Sequence, residues 1–133
     1  MAQEVHVQVR QISASTSECT ARQHKALSDR PEAKGGADRG PMGGEMLLMG
    51  LGGCFMSNLL AAVKTREAAV SDLNLALTAT LTDAPARFSA VKLVISGNYA
   101  DKADMEKLVT IAERGCIVAN TIKDAVRLSF EIV

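Results

Sequence analysis

The sequence predicts an α+β fold of the segregated kind, on three observations. Apolar and polar residues alternate with a period of two at both ends of the chain and again in its middle. Between these stretches runs one long segment of helix formers without proline, Glu45–Ala69. The resulting order is strands, long helix, strands, helix, short helix, strand, without the βαβ alternation that builds a parallel sheet.

Val5, Val7 and Val9 alternate with His6, Gln8 and Arg10, which predicts a first strand with one buried face. Two short strands at about Thr16–Arg22 and Lys25–Asp29 complete a meander over residues 1–30. Residues 31–44, dense in Pro, Gly and charge, read as an ordered loop or a lid. The long helix over residues 45–69 follows, and then a hairpin within residues 72–97, with strands at Asp72–Thr82 and Ala90–Ser96. Residues 101–133 hold the rest. Met105, Leu108, Val109 and Ala112 form an apolar stripe at i, i+3, i+4 and i+7 over a helix Asp101–Arg114, and Gly115 ends it. A shorter helix, about Val118–Ala125, precedes a last alternating strand, Val126–Val133. At 133 residues the chain is expected to form a single domain.

Composition excludes several function classes. Fifteen basic residues balance fifteen acidic ones, so there is no electrostatic footprint for a nucleic-acid backbone or an anionic membrane. Aromatic residues at 3% leave no stacking platform for single strands. Met46–Val63 carries no charge and approaches the length of a membrane span. Gly50, Gly52, Gly53 and the polar pair Ser57–Asn58, together with the absence of flanking Trp or Tyr, favour instead a helix buried in protein, with no membrane partner. Such a helix needs apolar cover on more than one side, and a second copy of the chain is the simplest source, so a homodimer is expected. No secretory signal is expected at the N-terminus. Three cysteines, an odd number, suit reduced thiols in the cytoplasm.

The residues that could carry chemistry begin in GPMGGEMLLMGLGGCF, Gly40 to Phe55. Glu45 sits at the helix N-terminus, where a capping anion is favoured on structural grounds alone. Cys54 comes about two and a half turns later and taken by itself reads as a small buried hydrophobe. Cys116 lies between two predicted helices, where backbone N–H groups would stabilise a thiolate. Cys54 and Cys116 are too far apart in sequence for a CxxC motif or a local zinc knuckle, and suit a pair brought together in space. His6 and His24 both fall in the N-terminal meander and complete no ligand quartet, so no metal is expected. Cys19 reads as structural or exposed. Met42, Met46, Met49 and Met56 would line an apolar pocket around Cys54 or simply fill the core.

Gly40–Pro41, Glu45, Leu47–Leu48 and Leu51-Gly52-Gly53-Cys54 resemble the G-P-x-x-x-E-L-L-L-x-x-L-G-G-C run of the OsmC/Ohr family, in its L-G-G-C branch. Cys116-Ile117-Val118-Ala119-Asn120-Thr121 resembles that family's second-cysteine motif, C-P-V-x-x-[ST]-[LI], and PEAKGGADRG resembles its Gly-rich approach loop. The resemblance implies an OsmC-like fold, with antiparallel sheets, a long buried central helix and an intertwined homodimer. It also implies thiol-dependent reduction of organic hydroperoxides, and of hydrogen peroxide, in stress defence. Cofactors are none: an external dithiol reductant regenerates the protein. Cys54 would then be the peroxidatic cysteine and Cys116 the resolving one. Glu45 would orient an arginine over the thiolate, with Arg39 and Arg22 preferred over Arg30. Two departures bear on activity: Ile117 stands where the family has proline, and Gly43-Gly44 replaces a Pro-Thr-like pair. The competing readings are an OsmC-fold dimer that binds a small ligand and a structural dimer with inert cysteines.

Overall fold

The alternating N-terminal residues form an antiparallel meander in the computed structural model, which describes residues 2–133 and so leaves Met1 outside. The strands are β1 (Gln8–Gln11), β2 (Ser17–Ala21) and β3 (His24–Ser28), in the spatial order β1-β2-β3. The expected buried face on β1 is not there: all four of its residues are exposed, and Val5, Val7 and Val9 are at 89%, 64% and 66% of full accessibility. Periodicity identifies two faces but cannot supply the layer that covers one of them. In register, Arg10 lies opposite Glu18 and pairs with it at 3.1 Å.

Residues 29–42 form an ordered loop organised by one carboxylate. Asp29 is 4% exposed. Its Oδ2 accepts the Thr16 hydroxyl at 2.8 Å and the Arg39 amide at 3.2 Å, while its Oδ1 accepts the Arg30 amide at 2.7 Å. The Asp29 amide in turn donates to the Pro41 carbonyl at 3.1 Å, closing the loop at its base. Burial alone would raise the Asp29 pKa, but the Thr16 and Ser15 hydroxyls and the Arg30 and Arg39 amides together lower it from 3.8 to about 2. A carboxylate depressed by folding stabilises the folded state at pH above its unfolded value, and that contribution is lost as pH falls through the folded value. Acid titration followed by circular dichroism is therefore expected to show loss of the N-terminal meander between about pH 4 and pH 2. Asp29→Asn is expected to remove this part of the pH dependence and to be less stable than wild type at neutral pH.

The chain divides into two compact units, one up to Leu47 and one from Leu48 onward, the boundary falling inside the long helix α1 (Gly43–Thr65). That helix begins two residues earlier than the sequence predicts and stops four residues short of Ala69. Its start is fixed by Glu45, whose carboxylate accepts the Met42 amide at 2.8 Å, the return half of a capping box. Its end is a Schellman-type closure: Glu67 adopts φ 51°, its amide reaches the Lys64 carbonyl, and the Ala68 amide reaches that of Val63. The left-handed residue is a glutamate, so no glycine marked the stop.

In the second unit, β4 (Ser71–Thr82) and β5 (Arg87–Asn98) form the predicted antiparallel hairpin. Helices α2 (Lys102–Gly115) and α3 (Ile117–Ile122) follow, then β6 (Arg127–Ile132). The sheet order is β4-β5-β6, and β6 pairs with β5 in parallel, which corrects the expectation of purely antiparallel sheets. Two helices lie between these strands, and such a crossover returns the chain to the same end of the sheet. Asp101 caps α2 by accepting the Ala103 amide at 2.9 Å.

One face of this sheet carries the core. Leu51, Phe55, Leu59 and Ala62 form the buried stripe of α1, joined by Val91, Leu93 and Ile95 of β5 and by Met105, Leu108, Val109 and Ala112 of α2. The Phe55 and Phe130 rings lie 5.1 Å apart. Gly52 faces β4, where a Cβ would come within 3.1 Å of a Leu77 methyl, so the glycine sets how closely helix and strand approach. The opposite side of α1 is not covered within the chain: Met49 is 54% and Leu60 52% exposed, with the exposed Gly53 on the same side.

Candidate functional site

Cys54 and Cys116, remote in sequence, are brought near enough in the fold for each to bear on the other's ionisation. Cys54 lies at the edge of the buried stripe of α1 and is half-buried, whereas Cys116 is 0% exposed. Cys116 joins two helices. It is the C-cap of α2, with its amide donating to the Glu113 carbonyl at 3.2 Å, and the N-cap of α3, with its sulfur accepting the Ala119 amide at 3.4 Å. The predicted α3 begins one residue earlier than expected and ends three residues sooner, at Ile122.

The electrostatics divide the pair. Burial tends to raise the Cys54 thiol, but the Val118 amide, a hydrogen bond from the Cys116 thiol and the Ile117 amide outweigh it and hold the group below its ordinary value. For Cys116 burial is the largest influence and prevails, pushing the thiol up despite the Ala119 and Val118 amides, with the hydrogen bond to Cys54 and its charge acting in the same direction. Sequence reasoning placed the thiolate-stabilising amides at Cys116. In the fold the Ile117 amide bears on Cys54 across the gap and the Val118 amide on both sulfurs, and the half-buried sulfur is the one favoured as thiolate, with the fully buried one as its proton-bearing neighbour. Both cysteines are free thiols.

The other predicted residues belong to the N-terminal unit or to the start of α1. Glu45 is exposed and caps the helix through Met42, the structural role its position favoured. Arg22 is exposed at the β2–β3 turn with φ 56°. Arg39 is exposed and its amide binds Asp29. Among the described residues neither guanidinium forms an ion pair. Cys19 sits on β2 between Val9 and Ala26, half-buried. Met49 and Met56 stand five positions before and two after Cys54, which at about 100° per residue puts them across the helix from the thiol, so within one chain they do not line its side.

Sequence reasoning missed Asn58 as a member of the site. Its carboxamide nitrogen donates to the Cys54 carbonyl at 2.9 Å and stands 3.9 Å from the Cys54 sulfur. The signal was present in the i, i+4 spacing of a polar residue behind a cysteine in an apolar helix.

Chemically, the arrangement can hold one thiol as thiolate beside a second that keeps its proton. Among the described residues no three His, Cys, Asp or Glu side chains gather as a metal cluster.

The family profile described as OsmC-like protein matches residues 35–131. Among solved structures, the fold is similar to a putative osmotic stress induced and detoxification response protein from Psychrobacter arcticus, with TM-score 0.86 and 17% identity over 100% of this chain and 98% of the other. It is also similar to an organic hydroperoxide resistance protein from Legionella pneumophila, with TM-score 0.76 and 18% identity over 99% and 98% of the two chains. The organic hydroperoxide resistance protein OhrB of Bacillus subtilis gives TM-score 0.70 at 18% identity over 98% of each chain. At these identities the likeness is one of fold. No curated protein matches the sequence.

Proposed function

Since the chain belongs to the OsmC-like protein family, we propose that it is a cysteine-based peroxidase for organic hydroperoxides, with Cys54 as the attacking thiol and Cys116 as its resolving partner. The observation that carries this reading is the unequal pair: two interacting thiols, of which the more accessible one is lowered by the Ile117 and Val118 amides and the buried one is raised. The solved structures named for organic hydroperoxide resistance share the fold and lend the substrate class.

The Cys54 thiolate attacks the distal oxygen of ROOH. The O–O bond breaks, the sulfur is oxidised to sulfenic acid, and the alkoxide takes up a proton to leave as ROH. The Cys116 thiol then attacks the sulfenic sulfur, an S–S bond forms and water is released. A dithiol, by two exchange steps, reduces the disulfide and restores both thiols. For Glu45, Arg39 and Arg22 the support is the motif resemblance, and alanine at each measures its share in lowering the Cys54 pKa. Consumption of cumene hydroperoxide in the presence of a dithiol tests the whole reading. A wild-type protein that consumes none at micromolar concentration ends it.

The same proposal includes a homodimer, supported by the apolar row Met49, Gly53 and Leu60 on the uncovered side of α1. Leu60→Arg is expected to weaken association by about 2 kcal/mol or more, roughly thirtyfold in Kd. Light scattering across a dilution series checks it, and a wild-type protein that is monomeric at micromolar concentration contradicts it.

A further inference from the structure

Asn58 is half-buried in the apolar run of α1, and packing alone does not call for a carboxamide there. Its nitrogen donates to the Cys54 carbonyl one turn back, at 2.9 Å, and lies 3.9 Å from the Cys54 sulfur. A carboxamide nitrogen carries two hydrogens, so satisfying the carbonyl leaves one for the sulfur. The oxygen end of the same group faces the turn that carries Cys116: a Cβ on Gly115 would lie 3.0 Å from Asn58 Oδ1. Asn58 thus spans from the helix of one cysteine to the residue preceding the other, and Gly115 leaves it room.

We infer that Asn58 is a positioning residue, which holds the Cys54 sulfur toward the Cys116 turn and donates its second N–H to the anion formed there. The inference deepens the peroxidase reading and rests on it for the reaction served, but not for the contact itself. The bland alternative is that Asn58 only satisfies a helix carbonyl, as polar side chains at i+4 often do. Threonine separates the two. Its single hydroxyl hydrogen can bond the i−4 carbonyl, and nothing is left for the sulfur. Aspartate keeps the shape of asparagine and puts an acceptor, negative at neutral pH, where the donor was.

The experiment reads the pH dependence of Cys54 alkylation by iodoacetamide in the full chain carrying Cys19→Ser and Cys116→Ser. Cys54 is then the only thiol, the titratable group that faces it from the α2–α3 turn is removed, and a hydroxyl donor remains in its place. Asn58→Thr is expected to raise the midpoint by about half a pH unit, and Asn58→Asp by about one unit or more. Circular dichroism establishes that each variant is folded, and aspartate, of nearly the same size, stands in should threonine unfold the helix. An unmoved midpoint in either folded variant overturns the inference. Gly115→Ala is expected to shift the midpoint the same way in this background but to add little to Asn58→Thr, and full additivity of the two shifts overturns the part assigned to Gly115. Peroxide turnover of the corresponding variants with all cysteines present keeps the two ideas apart. Shifted midpoints with no turnover even in wild type retire the peroxidase reading and leave Asn58 positioning a thiol, whereas turnover with unshifted midpoints retires the role of Asn58 alone.

Discussion

Cys54→Ser is expected to reduce dithiol-dependent consumption of cumene hydroperoxide by about three orders of magnitude or more, equivalent to about 4 kcal/mol of transition-state stabilisation. The physical ground is the ionisation of the nucleophile. The Ile117 and Val118 amides and the Cys116 thiol favour ionisation of this group when it is a thiol, and an alcohol in its place does not ionise in the same range. Serine fits the same half-buried position, so the loss is expected without a change in fold. Cys116→Ser should differ in kind: one equivalent of peroxide is consumed rapidly, and further turnover depends on whether the external thiol can reach the Cys54 sulfenic acid. Full multiple turnover in Cys116→Ser removes the resolving role and leaves the peroxidatic one intact. Turnover surviving in Cys54→Ser sinks the mechanism.

The largest expected effect on stability is that of Phe55→Ala, about 3–5 kcal/mol by the cost of emptying a buried aromatic site. Phe55 is 0% exposed, belongs to the buried stripe of α1, and has the Phe130 ring 5.1 Å away at 33°. Leu51 and Leu59, one turn to either side and also 0% exposed, already fill their own positions and cannot collapse into the cavity without uncovering β5. Urea unfolding at fixed protein concentration measures the loss, the fixed concentration being needed because the proposed association would add to apparent stability. Phe55→Leu, which keeps most of the volume, should cost markedly less. Equal losses for the two would mean that the ring itself, rather than the space it fills, holds helix and sheet together.

Element order, the β4–β5 hairpin and α2 were legible because each has a strong period, and a period reports which residues share a face. It does not report the neighbour. The parallel pairing of β6 with β5 depends on which end of the sheet the α2–α3 crossover returns to, and no alternation along Arg127–Ile132 encodes that. The same limit applies to β1 and the residues leading into it, where Val5, Val7 and Val9 alternate as a buried strand would yet stand exposed in the single chain. The end of α1 was missed because Glu67 takes the left-handed position that glycine usually announces.

For the site, the two cysteines stand out in the sequence through their motifs, and the fold sets each where it bears on the other's ionisation. The partition of the backbone amides between them is not legible there. A sequence shows that Cys116 precedes a helix, and only the fold shows that two of that helix's first amides act on a sulfur from a different element. Asn58 was legible as a polar interruption of an apolar run, but its target required the position of Gly115.

Cys116 closes one helix and opens the next, the second through its own sulfur atom. The sulfur that accepts the Ala119 amide is the same atom that the proposed disulfide with Cys54 would use. The atom proposed to take part in the reaction is thus also a peg of the scaffold, the acceptor that holds the first turn of α3. A change in the oxidation state of Cys116 would therefore be felt at the start of α3, beside the Ile117 and Val118 amides that lower the Cys54 thiol.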